Sequence, residues 1–453
     1  MRRSSSPKLL LADPKGTVLE HPYLLTSLRS GEHLFAPSEV EDRPLPLPEH
    51  GKLVHLPGRL PVGLDPETGE LELVRTFRAG GRSFVPSAVG ALVPPGYTRT
   101  FLPGEVKADD GPVLPQWAYT AAGWGESGPV AWALHTDKRS HWDPQRFSTE
   151  DLKLRVRDSL RRHPQNRVLV QLKTCALVYR CFTSQNVFYG RDEAAIPASV
   201  ACNARCVGCI SDQPEGGAPA SHQRMEDGPL GSEMAEVALA HLASAGDRAM
   251  VSFGQGCEGE PLTRFRMIAE AIRVVRAQTS RGSININTNG SLPKALGALF
   301  DAGLDAVRVS LNSAVKDLYE AYYRPIKYGW EDVEASIALA RERGGYLALN
   351  LLTFPGVTDR AGEVKALAAL ICKYRVDQVQ TRSLCLDPLD YLDVARDRGA
   401  GGEALGIGAM LAAFKAAAPW LVIGNFARGR AERVRAPRAV GARPATGGLE
   451  MEP

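Results

Sequence analysis

Between residues 195 and 390 the apolar positions follow two alternating rhythms. Short runs rich in aliphatic and β-branched residues, at 196–200, 249–253, 283–288, 306–311, 346–353 and 377–381, read as strands. Between them apolar residues recur at helical spacing: Phe265, Ile268, Ile272 and Val275 form one stripe, Trp330, Val333, Ile337 and Ala340 another. The second stripe stops at Gly344-Gly345, as a left-handed helix cap would. Six strand–helix units with short connections predict an α/β fold with a parallel sheet curved into a partial barrel. In such architectures chemistry gathers at the C-terminal ends of the strands.

Upstream the rhythm differs. Ser148 followed three residues later by Asp151 resembles a capping box, and Leu152, Val156 and Leu160 continue it as a helix. A second helix is expected over 166–186, with Leu169, Leu172, Ala176, Tyr179 and Phe182 on its apolar face. Residues 1–147 are rich in Pro and Gly, with turn chemistry at Gly63-Leu64-Asp65-Pro66-Glu67-Thr68-Gly69 and short strand-like runs near 71–74, 83–85 and 130–134. The chain therefore divides into a β-rich N-terminal region of unknown role (1–147), a helical connector (148–194), a core barrel with its C-terminal extension (195–425) and a tail (426–453) whose Pro/Ala/Gly/Arg composition predicts disorder.

Composition narrows the class. An apolar fraction of 44% and a charged fraction of 23% suit a globular protein. A formal charge of +3 gives no electrostatic case for nucleic acid. No apolar run reaches the length of a membrane span. Leu9-Leu10-Leu11-Ala12 is too short for a signal-peptide core, so the cytoplasm is the expected compartment. Eight cysteines in 453 residues do not make a disulfide scaffold.

Three of those cysteines carry the chemistry. Cys202, Cys206 and Cys209 follow the first strand with spacing C-x₃-C-x₂-C and no fourth close by. Three thiolates can hold three irons of a cubane cluster and leave one iron open. A zinc site completed by Cys257 or a histidine is the alternative reading. Gly259-Glu260-Pro261 follows the second strand, Asn289 ends the third and Ser310 the fourth. Arg324 lies in Tyr322-Tyr323-Arg324-Pro325, Asn350 is on the fifth strand, and Arg382 ends the sixth.

The cysteine spacing and the ordered matches at successive strand ends resemble the radical S-adenosylmethionine (radical SAM) superfamily, over about residues 195–390 and nearest the subgroup of molybdenum-cofactor cyclases and peptide-cofactor maturases. The resemblance implies a partial (β/α)6 radical SAM barrel behind an N-terminal β-rich or mixed region. It implies that Cys202, Cys206 and Cys209 ligate a [4Fe–4S] cluster and that S-adenosyl-L-methionine chelates the open iron. Gly259, Glu260 and Pro261 would meet the cofactor's amino group, Asn289 and Asn350 its nucleoside, Ser310 its ribose or carboxylate, Arg324 its carboxylate, and Arg382 the substrate or the cofactor. One electron from a flavodoxin- or ferredoxin-like donor would release a 5′-deoxyadenosyl radical that takes a hydrogen atom from a small-molecule or peptide substrate. Cys257, three residues before Glu260, is a candidate hydrogen donor or a buried structural thiol.

One departure stands out. The family carries an aromatic residue just before the last cysteine, where this chain has Gly208, so adenine packing is expected from elsewhere, Ile210 or the fifth strand. Were Cys175 and Cys181 on one helix, they would sit about 120° apart, too far for a second shared cluster. The absence of a many-cysteine C-terminal domain weakens peptide maturation and the balanced charge weakens RNA modification. A non-catalytic iron–sulfur or zinc protein is the alternative outside the enzymes.

Overall fold

The computed structural model describes residues 6–433 other than 216 and 256. From residue 193 onward the expected alternation is present. Seven strands, β1 (Glu193–Ile196), β2 (Met250–Phe253), β3 (Ser283–Thr288), β4 (Ala306–Leu311), β5 (Tyr346–Thr353), β6 (Gln378–Ser383) and β7 (Val422–Gly424), pair in chain order and all in parallel. Six strands were expected. The extra one, β7, has three residues, too few to show a period.

The two faces of this sheet differ sharply. Ile196, Phe253, Ile286, Val307 and Leu347 lie side by side in register on one face and join the main apolar core. Helices α5 (Phe265–Gln278), α6 (Pro293–Ala302), α8 (Trp330–Glu342) and α9 (Ala361–Lys373) contribute their apolar residues to the same core. The opposite face is polar: Ser252 pairs with Asn285, Asn287 with Arg308, and Ser310 with Asn350 and then Gln380. The sheet also curls. Glu193 and Arg308 are three strands apart, about 14 Å across a flat sheet, and Glu193 is level with Ser283 while Arg308 is level with Asn287. Their side chains nevertheless meet at 3.1 Å across the concave side.

The helical connector departs from expectation in two places. The first helix, α1 (Leu152–Arg162), starts without the anticipated capping box, because the Ser148 N–H donates instead to Gln185 Oε1 at 2.7 Å. The expected single helix over 166–186 is two, α2 (Arg167–Leu177) and α3 (Phe182–Tyr189), split where Arg180 takes a φ of +53° and the Cys181 N–H turns back to the Cys175 carbonyl. Leu152, Val168, Leu172 and Phe188 belong to the same core as the sheet, so the connector is part of the parallel domain.

Residues before the connector form antiparallel sheets, the largest of ten strands. Their apolar contacts fall into small separate clusters. Polar contacts dock this region on the parallel domain: Arg59 pairs with Asp387, Thr98 Oγ1 meets Thr381 Oγ1 at 2.7 Å, and Arg99 donates to the Leu384 carbonyl at 2.8 Å. The expected tail begins later than 426. Phe426 and Arg428 are buried, Asp137 accepts from the Asn425 and Phe426 N–H groups and from Arg428, and a short helical turn covers Arg430–Arg433. Residues 434–453 lie outside the described residues. Among the described residues no helix is long and apolar enough to cross a membrane.

Candidate active site

The ends of β1, β2 and β3 are stitched together by hydrogen bonds. Glu258, which sequence reasoning passed over, accepts from four backbone N–H groups: Ala198 and Ser199 at 2.5 and 2.6 Å, Gly254 and Gln255 at 2.8 and 3.1 Å. Burial pushes its carboxyl up to about 8 against the pull of those donors. Gly259 then passes so close to the chain leaving β1 that an added Cβ would lie 2.0 Å from the Ala201 carbonyl oxygen. Only glycine fits, and its N–H donates to the Ser199 carbonyl at 2.8 Å. The Glu260 N–H donates to the Ala201 carbonyl at 2.9 Å.

Glu260 caps the short helix Pro261–Arg264, whose first residue needs no N–H partner because it is proline. The carboxylate accepts from the N–H groups of Leu262 and Asn289 at 3.0 and 2.8 Å and from the Thr288 hydroxyl. A carboxylate offers about four acceptor positions, so one is left for a ligand. Burial raises this carboxyl to about 7. Asn289 reaches the cysteine loop, donating from Nδ2 to Asn203 Oδ1 at 2.9 Å, while its Oδ1 accepts from the Ser291 N–H at 3.0 Å. Its polar atoms are thus already engaged within the protein.

The loop 202–209 is laced to the end of α7 (Lys316–Tyr323). Val207 and Arg205 donate their N–H groups to the carbonyls of Tyr322 and Tyr323 at 3.0 and 3.1 Å, the Ile326 N–H donates to Asn203, and Ala204 bridges Pro325. Burial pushes the Cys206 thiol well above its usual range, with Cys202 and Cys209 adding to the effect, and burial likewise raises Cys202. Cys209 Sγ has Ser211 Oγ at 3.7 Å and Arg224 Nη2 at 3.8 Å, donors suited to a charged sulfur. Its carbonyl accepts from Gln116 Nε2 of the N-terminal region at 3.0 Å. At Gly208 an added Cβ would meet Tyr322 Oη at 2.8 Å. The side chain of Tyr322, from α7, thus occupies the space beside Gly208.

Ser310 and Asn350 face each other in register on the concave side, and Asn350 Oδ1 accepts from Arg382 Nε at 3.2 Å. Arg324 ends α7 with a φ of +46° and lines a cleft of about 1000 Å³ together with Arg205, Cys206 and Val207 of the cysteine loop. Cys257 is turned away from the cysteine loop. Its buried thiol contacts Cys175, and Cys181, at the N-cap of the separate helix α3, also acts on it. The concave-face residues Glu193, Asn287, Arg308 and Gln380 were not singled out from sequence. Their signal was a polar residue at every second position of an otherwise apolar strand, as in Asn285/Asn287 and Gln378/Gln380/Arg382.

Comparison with known proteins follows this geometry. Residues 196–368 match the model of the Radical SAM superfamily. The chain is 31% identical over 193 residues to a GTP 3′,8-cyclase of Heliobacterium modesticaldum, covering 42% of this chain and 54% of that protein. It is 28% identical over 211 residues to a GTP 3′,8-cyclase of Chlorobaculum tepidum, covering 45% and 56%. The chain thus spans about half the length of the curated relatives it matches. A solved radical SAM methyltransferase from Sphaerobacter thermophilus aligns with a TM-score of 0.34 at 17% identity, over 47% of this chain and 65% of that one.

Proposed function

We propose that this chain, a member of the radical SAM superfamily through residues 196–368, is an enzyme that cleaves S-adenosylmethionine reductively and uses the resulting radical to remove a hydrogen atom from a substrate. The observation that carries this reading is the lacing of three strand ends: Gly259 and Glu260 bond the chain leaving β1, Glu260 bonds Asn289, and Asn289 bonds Asn203 inside the cysteine loop. Cys202, Cys206 and Cys209 are the ligands in this proposal. Their donor chemistry fits: three thiols on one loop feel each other's charge, and a hydroxyl and a guanidinium stand by Cys209. Among the described residues no three His, Cys, Asp or Glu side chains converge tightly enough to hold a single metal ion, as a zinc site would require.

When bound, the cluster and S-adenosylmethionine supply a one-electron cleavage of the sulfonium C–S bond to methionine and a 5′-deoxyadenosyl radical. The protein's residues do the rest. Glu260 offers its remaining acceptor position to the cofactor's ammonium, Ser310 and Asn350 face the nucleoside, and Tyr322 supports the loop at the position of Gly208. Arg324, on the cleft it shares with Cys206, meets the cofactor's carboxylate in this reading. Cys257 packs with Cys175 and has no part in hydrogen transfer. The N-terminal region touches the cysteine loop through Gln116, which steadies the Cys209 carbonyl.

The electron donor is a flavodoxin- or ferredoxin-like protein in this reading, and eight free thiols suit the reducing cytoplasm. The relatives' printed name makes GTP the first substrate to assay. Anaerobic reconstitution should load about four irons per chain for one cubane, and dithionite with S-adenosylmethionine should yield 5′-deoxyadenosine. Cys206→Ala should lose both, and nucleoside production by that variant would refute the proposal.

A further inference from the structure

The concave face holds a positive charge that the protein does not balance. Arg308 is answered by Glu193 at 3.1 Å, and Glu193 Oε1 also accepts from the Ser252 hydroxyl at 2.6 Å. Arg382 has no such partner. Its Nε donates to Asn350 Oδ1 at 3.2 Å and its Nη2 to Gln380 Oε1 at 3.0 Å, both neutral amides. Among the described residues no carboxylate lies within ion-pair distance of it, and its Nη1 has no protein partner. Burial, with repulsion from Arg308, pulls this guanidinium down to about 10.

The surroundings leave donors over as well. A guanidinium can only donate, so Gln380 must turn its oxygen toward Arg382. That leaves Gln380 Nε2, in a fully buried residue, without an acceptor, and Arg308 Nε is likewise unmatched. Unmet buried donors cost roughly 1–3 kcal/mol each and more beside a charge, so such a constellation belongs where an acceptor arrives from outside. Arg382 itself is only half-buried.

We infer that Arg382, backed by Gln380 and Arg308, is a subsite for an anionic group, carboxylate or phosphate, of the substrate from which hydrogen is removed. This rests on the reading above that the barrel houses radical chemistry. In the reading above Arg324, which shares a cleft with Cys206, meets the cofactor's carboxylate, and Arg382 is left for the anion of the second molecule.

The test is calorimetric titration of the reconstituted full chain, saturated with S-adenosylmethionine, with inorganic triphosphate and with succinate as probes. At least one should bind at a single site: triphosphate alone identifies a phosphate, succinate alone a carboxylate. Arg382→Gln should weaken that binding about 10- to 100-fold, the loss of a charge-assisted hydrogen bond. Gln380→Glu keeps the guanidinium but supplies an internal counter-ion, and should weaken it comparably even if the first variant fails to fold. Absence of binding to the wild type, undiminished binding by both variants, or binding seen only when S-adenosylmethionine is left out would overturn the inference. 5′-Deoxyadenosine production by the same wild-type preparation reads the radical chemistry separately, so failure of one is not confused with failure of the other.

Discussion

The two halves of this molecule are held by different forces. The parallel domain has one continuous apolar core running through the sheet and its helices, whereas the antiparallel region before it has several small clusters. Several of the contacts that bind that region to the barrel are polar and buried: Arg59 with Asp387, Arg99 on the Leu384 carbonyl, and Asp137 beneath the segment after β7, with Leu102 in the main core and the stack of Trp142 on Phe426 as the apolar part. Apolar cores tolerate adjustment in many small steps, but a buried charge left without its partner does not. The barrel should therefore be robust, and its cover should be attached through a few decisive contacts.

Removing Arg59 tests this most severely. Arg59→Ala leaves Asp387 buried without its cation, at about 3–5 kcal/mol. In urea, fluorescence of Trp132, buried in the N-terminal region, should report an early transition while the far-UV signal of the barrel helices persists. One coincident, unshifted transition would erase the distinction between the halves.

A smaller effect belongs to the barrel alone. His241, on α4 (Gly231–Ser244), donates from Nε2 to the Asp192 carbonyl at 2.9 Å, while its Nδ1 has no partner. Burial lowers its pKa to about 4. Between pH 4 and 6.5 the unfolded chain binds a proton there that the folded chain refuses, so stability is full above 6.5 and declines as pH falls toward 4. The loss is about 3 kcal/mol at most. Denaturation at pH 4.5, 5.5 and 7 should show this slope, and His241→Gln should flatten it; an equal slope in the variant would count against the assignment.

The smallest effect is at the seam. Gln116→Ala removes one hydrogen bond to the Cys209 carbonyl, worth about 1 kcal/mol, so amide exchange over residues 205–213 should quicken about five-fold. Unchanged exchange would mean that the N-terminal region does not steady the loop.

How far the sequence disclosed this depended on what set each boundary. β3, β4 and β5 have the limits that period alone predicts, because packing against helices decides them. β1 was expected at 196–200 but ends at Ile196, because Glu258, distant in sequence, takes the N–H groups of Ala198 and Ser199. The break between α2 and α3 carries no Gly or Pro, so no local residue announced it. The cysteine loop and the Gly-Glu-Pro turn were legible as motifs. The cleft that Arg324 shares with Cys206, the contact of Cys257 with Cys175 and the filling of the space beside Gly208 by Tyr322 depend on tertiary approach and left no local trace.

The central claim is that the loop 202–209 holds a cluster with one iron open to S-adenosylmethionine. Electron paramagnetic resonance of the anaerobically reconstituted, dithionite-reduced full chain, recorded with and without S-adenosylmethionine, tests it most directly. An open iron should give a cluster signal that shifts when the cofactor is added. A strong cluster signal that the cofactor leaves untouched would mean that the protein ligates every iron itself, and would contradict the claim.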